Sequence, residues 1–159
     1  MLKINENQII SANLGGRGGK EAAALSLFAN DLTRINHVLF DAIDPLGNKF
    51  EFKKQANLQW FDIGKYYNLT QEEKNIYMVF LVHKNGELEK VATIRLGKFI
   101  ERLTSSPKHA EDGWTKKTIR FMHEIKKIHP RFQTKAPLKV KQFLSDNSDV
   151  VEVLYEKTT

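Results

Sequence analysis

The chain has 159 residues, 41% of them hydrophobic, which is enough for one compact domain with an adequate core. It contains no cysteine, excluding a disulfide framework and a Cys-based zinc site, and no apolar run reaches the length of a membrane span. Lys and Arg number 25 against 19 acidic residues, and the formal net charge of +6 suits a polyanionic partner, although basic proteins without one are common.

Residues 1–14 read as a short leading segment, without the basic start, apolar run and small-residue cleavage pattern of a signal peptide, so a cytoplasmic protein is expected. Gly15-Gly16-Arg17-Gly18-Gly19-Lys20 is a glycine-rich bend. The Walker spacing fails there, and the reading is a flexible start to a helix whose amides and Lys20 are candidates for DNA phosphates. Helix formers follow from Glu21 to Leu32, with Leu25, Phe28 and Leu32 on one apolar stripe. Glu21 reads as an acidic residue favoured by the helix dipole.

The most informative stretch runs from Asp41 to Lys53. Pro45-Leu46-Gly47-Asn48 is a turn sequence, and Val38-Leu39-Phe40 and Phe50-Glu51-Phe52-Lys53 are strand-like flanks. Folding about the turn sets Asp41 opposite Glu51, and strand alternation puts Glu51 and Lys53 on one face and Phe50 and Phe52 on the other. Two carboxylates and an ammonium then converge, which is the equipment for metal-dependent phosphodiester hydrolysis. Magnesium takes oxygen ligands, here Asp41, Glu51 and the main-chain carbonyl of Phe52. Lys53 is suited to orienting the attacking water and offsetting developing negative charge. The plainer reading is a surface hairpin that happens to carry these charges. Asp44 rivals Asp41, but its place beside the turn favours an Asp that bonds nearby amides.

Residues 54–70 are rich in amide and aromatic side chains. Lys54, Gln55, Asn57 and Gln59 are therefore candidate DNA contacts, against the alternative of a solvated loop anchored by Trp60 and Phe61. Ile76–His83 and Glu87–Leu96, joined through Asn85-Gly86, read as a hairpin whose nearly continuous apolar first strand belongs in the sheet centre. A short helix is expected over 97–103 and a polar loop over 104–113. Thr115 to Ile128 is predicted to be amphipathic, with Ile119, Met122, Ile125 and Ile128 inward and Lys116, Lys117, Arg120, Lys126 and Lys127 largely outward. Residues 135–144 and 149–156 read as late strands, and Lys135, Lys139 and Lys141 as further DNA-contact candidates.

Asp41-Ala42-Ile43-Asp44, Gly47, Glu51 and Lys53 resemble the pattern of the PD-(D/E)XK nucleases, more closely the small PvuII-like type II restriction endonucleases. Gly18-Gly19-Lys20 and Lys135-Ala-Pro-Leu-Lys139 are weaker echoes, and the histidine-rich base-reading segment of that family is missing. The resemblance implies a single α/β domain with a restriction-endonuclease-like core, a mixed central sheet flanked by helices, spanning about 15–144 and followed by a C-terminal strand. It also implies a Mg2+-dependent enzyme that cuts double-stranded DNA as a homodimer, leaves 5′-phosphates and works beside a cognate DNA methyltransferase. Tyr77 lies where that family has a tyrosine close to the metal, although a core tyrosine is the simpler reading. A structure-selective nuclease such as a Holliday junction resolvase, or a non-catalytic DNA-binding module, remains an alternative.

Overall fold

The computed structural model describes residues 2–6, 25–55, 57–132 and 135–158. Its strands are β1 (Thr33–Arg34), β2 (Ala42–Ile43), β3 (Lys49–Gln55), β4 (Leu58–Asp62), β5 (Tyr77–Lys84), β6 (Glu87–Arg95), β7 (Lys135–Lys139) and β8 (Glu152–Glu156). Its helices are α1 (Gln71–Lys74), α2 (Leu96–Thr104), α3 (Pro107–Ala110), α4 (Lys116–Ile128) and α5 (Val140–Asp146), with a 3-10 turn at Ile63–Tyr66. Six strands form a mixed sheet in the order β1-β2-β3-β5-β6-β8. β3 and β5 are parallel, and every other pairing in that sheet is antiparallel. β4 and β7 form a separate antiparallel ribbon.

β5 lies inside the sheet between β3 and β6, and Met78 to Val82 are all buried, as the continuous apolar run predicts. The β5–β6 turn is closed by Asn85 and Gly86, both with positive φ, a backbone that suits the twist of a two-residue hairpin. Alternation sorts the side chains into two cores. One, between the sheet and the helices, gathers Phe61, Phe80, Phe99, Trp114, Ile119 and Phe143. The other, on the opposite face, gathers Phe28, Phe50, Phe52, Val79, Leu81 and Val91. Both faces of the central strands are therefore dry.

Several predicted elements differ. Leu25–Leu27 are helical, but Phe28 leaves the helix for a bridge with Ile4, so the helix expected through Leu32 ends early. Leu25, Phe28 and Leu32 still contribute to one core. Only Ala42–Ile43 of the segment before the first turn is strand, and Leu39 and Phe40 are buried outside the ladder. Residues 140–144 are helical rather than extended. Val140, Phe143 and Leu144, spaced i, i+3, i+4, are the buried positions of α5. In α4, Thr115 caps the first turn by accepting a bond from the Thr118 amide, and Ile119 is buried as expected. Ile128 is 71% exposed and does not face the core. Pro107 opens a short helix within the predicted 104–113 loop.

Candidate active site

The β2–β3 hairpin is shaped by Asp44. Its Oδ1 accepts bonds from the amides of Leu46 (3.0 Å) and Asn48 (2.8 Å), and its Oδ2 accepts one from Asn48 Nδ2 (2.9 Å). Gly47 has φ +89°, a backbone open to glycine at little cost. Asp44 is thus committed to the turn. Asp44→Ala is expected to lower stability by about 1–2 kcal/mol through these lost bonds. Denaturant unfolding checks this.

Asp41 replaces the next rung of the ladder. Its amide donates to the Phe50 carbonyl (2.8 Å), and its Oδ2 accepts from the Phe52 amide (2.9 Å). The register Ala42↔Phe50 continues to place Asp41 across from Glu51. The carbonyl of Phe52 lies along the same strand edge as its amide. Glu51 is 5% exposed, and its carboxyl shares a hydrogen bond with that of Asp41. Lys53 Nζ sits 3.7 Å from Glu51 Oε1 and 5.6 Å from the Phe61 ring centroid. Asp41, Glu51 and Lys53 are thus brought together at one place on one face.

Burial is the main reason that the Glu51 pKa is pushed up to about 7. The Lys53 ammonium pulls it down, Asp41 pushes it further up, and Lys65 pulls it down again. Near neutral pH the Glu51 carboxyl is therefore protonated part of the time. A divalent cation does the same job with more charge. The donors are all hard oxygens, and magnesium usually keeps one or two carboxylates plus waters. The residues fit that ion, although among the described residues no three His, Cys, Asp or Glu side chains converge.

The remaining predicted residues are spread over several surfaces. Tyr77 is on the wrong face to support the carboxylates. It pairs in register with Phe50, stacks on that ring at 5.3 Å between centroids, and carries the Arg95 guanidinium 3.9 Å from its own ring. Lys54 follows Phe52 on that same face by alternation, and its charge acts on His83, so it stands apart from Glu51 and Lys53. Asn57 is exposed between β3 and β4, and its carbonyl holds the Val140 amide at 2.9 Å. Gln59 is half-buried opposite Leu138, on the side of the ribbon that Phe61 turns into the core. Lys20 and the side chain of Gln55 lie outside the described residues.

The ribbon joins two segments that the sequence leaves unconnected. Leu58 pairs with Lys139, Trp60 with Pro137 and Asp62 with Lys135. Trp60 is 54% exposed rather than anchored in the core, because Phe61 takes the inward position and alternation turns Trp60 outward. Lys135 and Lys139 are exposed at positions diagonal to it. Proline is tolerated in β7 because the ribbon has free edges, and its carbonyl accepts the Trp114 indole N–H at 2.8 Å.

Sequence reasoning missed two residues coupled to Glu51 by charge, Lys65 and Tyr66. Lys65 and Tyr66 come from the 3-10 turn after β4, and Asp62 pairs with Lys126 of α4. Nothing local in Phe61-Asp62-Ile63-Gly64-Lys65-Tyr66 signals a site. Comparison with protein families finds no family model that matches the chain, and comparison with curated proteins finds no match either.

Proposed function

We propose that the chain is a magnesium-dependent nuclease that hydrolyses phosphodiesters of double-stranded DNA, most simply a type II restriction endonuclease acting as a homodimer. The observation that supports this best is the Asp41–Glu51 carboxyl pair, with Glu51 buried and Lys53 3.7 Å from it. So costly a grouping is poor packing and good phosphate chemistry. Asp41, Glu51 and the Phe52 carbonyl would hold the ion, which when bound supplies Lewis-acid stabilisation of the charge that builds on the phosphate. Asp41 is oriented for this by the Phe52 amide. Lys53 is held over Phe61 with its ammonium beside Glu51, where it orients the attacking water and offsets developing negative charge.

Substrate contacts are best supplied by the outward face of the β4–β7 ribbon. Trp60, Lys135 and Lys139 together offer an aromatic surface and two cations. A groove of about 1180 Å³ adds Lys74, Arg95, Lys98, Lys116, Lys117 and Arg120 against Glu101 and Glu124, a surplus that suits a polyanion. Two subunits related by a two-fold axis would match a palindromic site and cut one strand each, and a cognate methyltransferase would protect host DNA.

Trp114 is fully buried, so Trp60 is the indole that an added oligonucleotide can reach. Titration with a duplex is expected to quench wild-type fluorescence, and Trp60→Phe to lose most of the change. Digestion of phage-sized linear DNA tests the activity itself. Discrete magnesium-dependent fragments support the restriction reading, and cutting confined to four-way junctions would replace it with a resolvase.

A further inference from the structure

The groove of about 1180 Å³ is lined by α1, α2 and α4 and by the segment that follows the 3-10 turn. It lies on the side of the sheet that carries the carboxylates. Glu51 and Lys53 stand in register with Met78 and Phe80, which belong to the core covered by Phe99 of α2 and Ile119 of α4. Several surface cations of the chain are paired: Lys49, Arg102, Lys108, Lys126 and Lys141 each meet a carboxylate. In the groove Lys98 meets Glu101, but Lys74, Lys116, Lys117 and Arg120 make no ion pair among the described residues. Three of those four open α4. Its first turn holds Lys116 and Lys117 and no acidic residue, and Arg120 follows Lys116 at i+4. The helix dipole disfavours cations there, and like charges at that spacing repel, so α4 carries them at a cost to its own stability. An anion in the groove relieves both penalties.

The same groove has an apolar side. Leu69 and Ile100 line it while packing on the core, and Phe121 lines it while 59% exposed, on the same stripe of α4 as Lys117. A duplex offers such a surface its sugars and phosphates, because its bases are stacked inside, and it leaves Phe121 uncovered. A single strand offers phosphates to the cations and base faces to the ring at once, the usual combination for unpaired nucleic acid. We infer that this groove holds an unpaired DNA strand, its phosphates on Lys74, Lys116, Lys117 and Arg120 and a base stacked on Phe121, an assignment that rests on the nuclease reading above for the choice of DNA. Nucleotides beside the cut duplex are then bound unpaired, and the duplex itself stays with the β4–β7 ribbon.

The test follows the fluorescence anisotropy of a labelled oligothymidylate and of a blunt duplex of equal length, in EDTA so that neither is cut. Wild type is expected to bind the oligothymidylate with a slope of log K against log salt of about −3, the value for four cations on a single strand. Phe121→Ala is expected to weaken that binding about 5- to 150-fold and to leave duplex binding unchanged. Its thermal midpoint should match wild type, since the ring is mostly exposed. Lys117→Ala should make the slope shallower by about 0.7. No binding of oligothymidylate, or an equal loss for duplex in Phe121→Ala, overturns the assignment. Displacement by polyglutamate of matched charge as readily as by unlabelled oligothymidylate overturns it too, because the groove would then take any acidic chain. Binding as expected without magnesium-dependent cutting of any DNA would remove the nuclease reading and keep the strand in the groove. Magnesium-dependent cutting with full oligothymidylate binding by Phe121→Ala would do the reverse.

Discussion

Glu51→Gln is expected to make the metal-free protein more stable at pH 8 while abolishing DNA cleavage. The Glu51 pKa rises from an ordinary 4.5 to about 7 in the fold, with burial as the principal cause. Between those two values the unfolded chain has released this proton and the folded chain has kept it, so stability falls as pH rises through that window. The stability is fully present below about pH 4.5 and its loss is complete above about pH 7. The total is on the order of 3 kcal/mol, a large share of a small domain's stability. Glutamine keeps the shape and never ionises. It leaves Asp41 facing Lys53, one anion against one cation. Urea unfolding in EDTA at pH 5 and pH 8 measures the effect. Wild type should lose stability between the two pH values, and the variant should lose much less and be the more stable protein at pH 8. Equal slopes would mean that Glu51 is ordinary and solvated. Magnesium should reverse the wild-type slope, since the ion needs the ionised carboxylate, and at 100 times its Kd it would add about 2.7 kcal/mol.

Lys53→Ala is expected to lower cleavage by about 10²- to 10⁴-fold, the usual range for losing a charged group that acts on the transition state. The same substitution removes the cation that most lowers the Glu51 pKa. The upper end of the pH window over which stability falls should therefore move upward, above the wild-type value of about 7. Lys53 is 15% exposed, so solvent only partly compensates its loss. The two readouts separate the roles of this residue. A shifted stability profile with unchanged cleavage would leave Lys53 an electrostatic neighbour of Glu51 with no part in the reaction. Lost cleavage with an unshifted profile would mean that its ammonium is not near Glu51 in solution.

The part of the site that was legible in the sequence is the part made by one hairpin. Turn chemistry at Asp44–Asn48 fixes the fold-back, and a period of two fixes which side chains share a face. Those two local rules suffice to bring Asp41, Glu51 and Lys53 together. The long apolar strand β5 was legible for a similar reason, because only a central strand buries five consecutive residues. The rest depends on contacts distant in sequence. The β4–β7 pairing turns Gln59 inward and Trp60 outward, and nothing before Leu58 or after Lys139 specifies it. Tyr77 looked well placed by its distance along the chain, but parallel pairing with β3 sets it beside Phe50. The 3-10 turn that carries Lys65 and Tyr66 is set by α4, against whose Met122 backbone Gly64 packs, a contact between segments far apart in the chain. Residues 140–144 depart from the strand expectation for a different reason. Val140, Phe143 and Leu144 satisfy a helical spacing as well as their composition suggests a strand.

The most direct measurement of whether the carboxylate–lysine cluster is a magnesium-dependent phosphodiesterase is the cleavage of end-labelled linear duplex DNA. Wild type and Lys53→Ala would be run side by side, each with magnesium and with EDTA, across a range of salt. The account predicts discrete products with 5′-phosphate ends from wild type in magnesium, and intact DNA in the other three reactions at times when wild type has finished. Intact DNA in all four, or equal cutting by the two proteins, would contradict it.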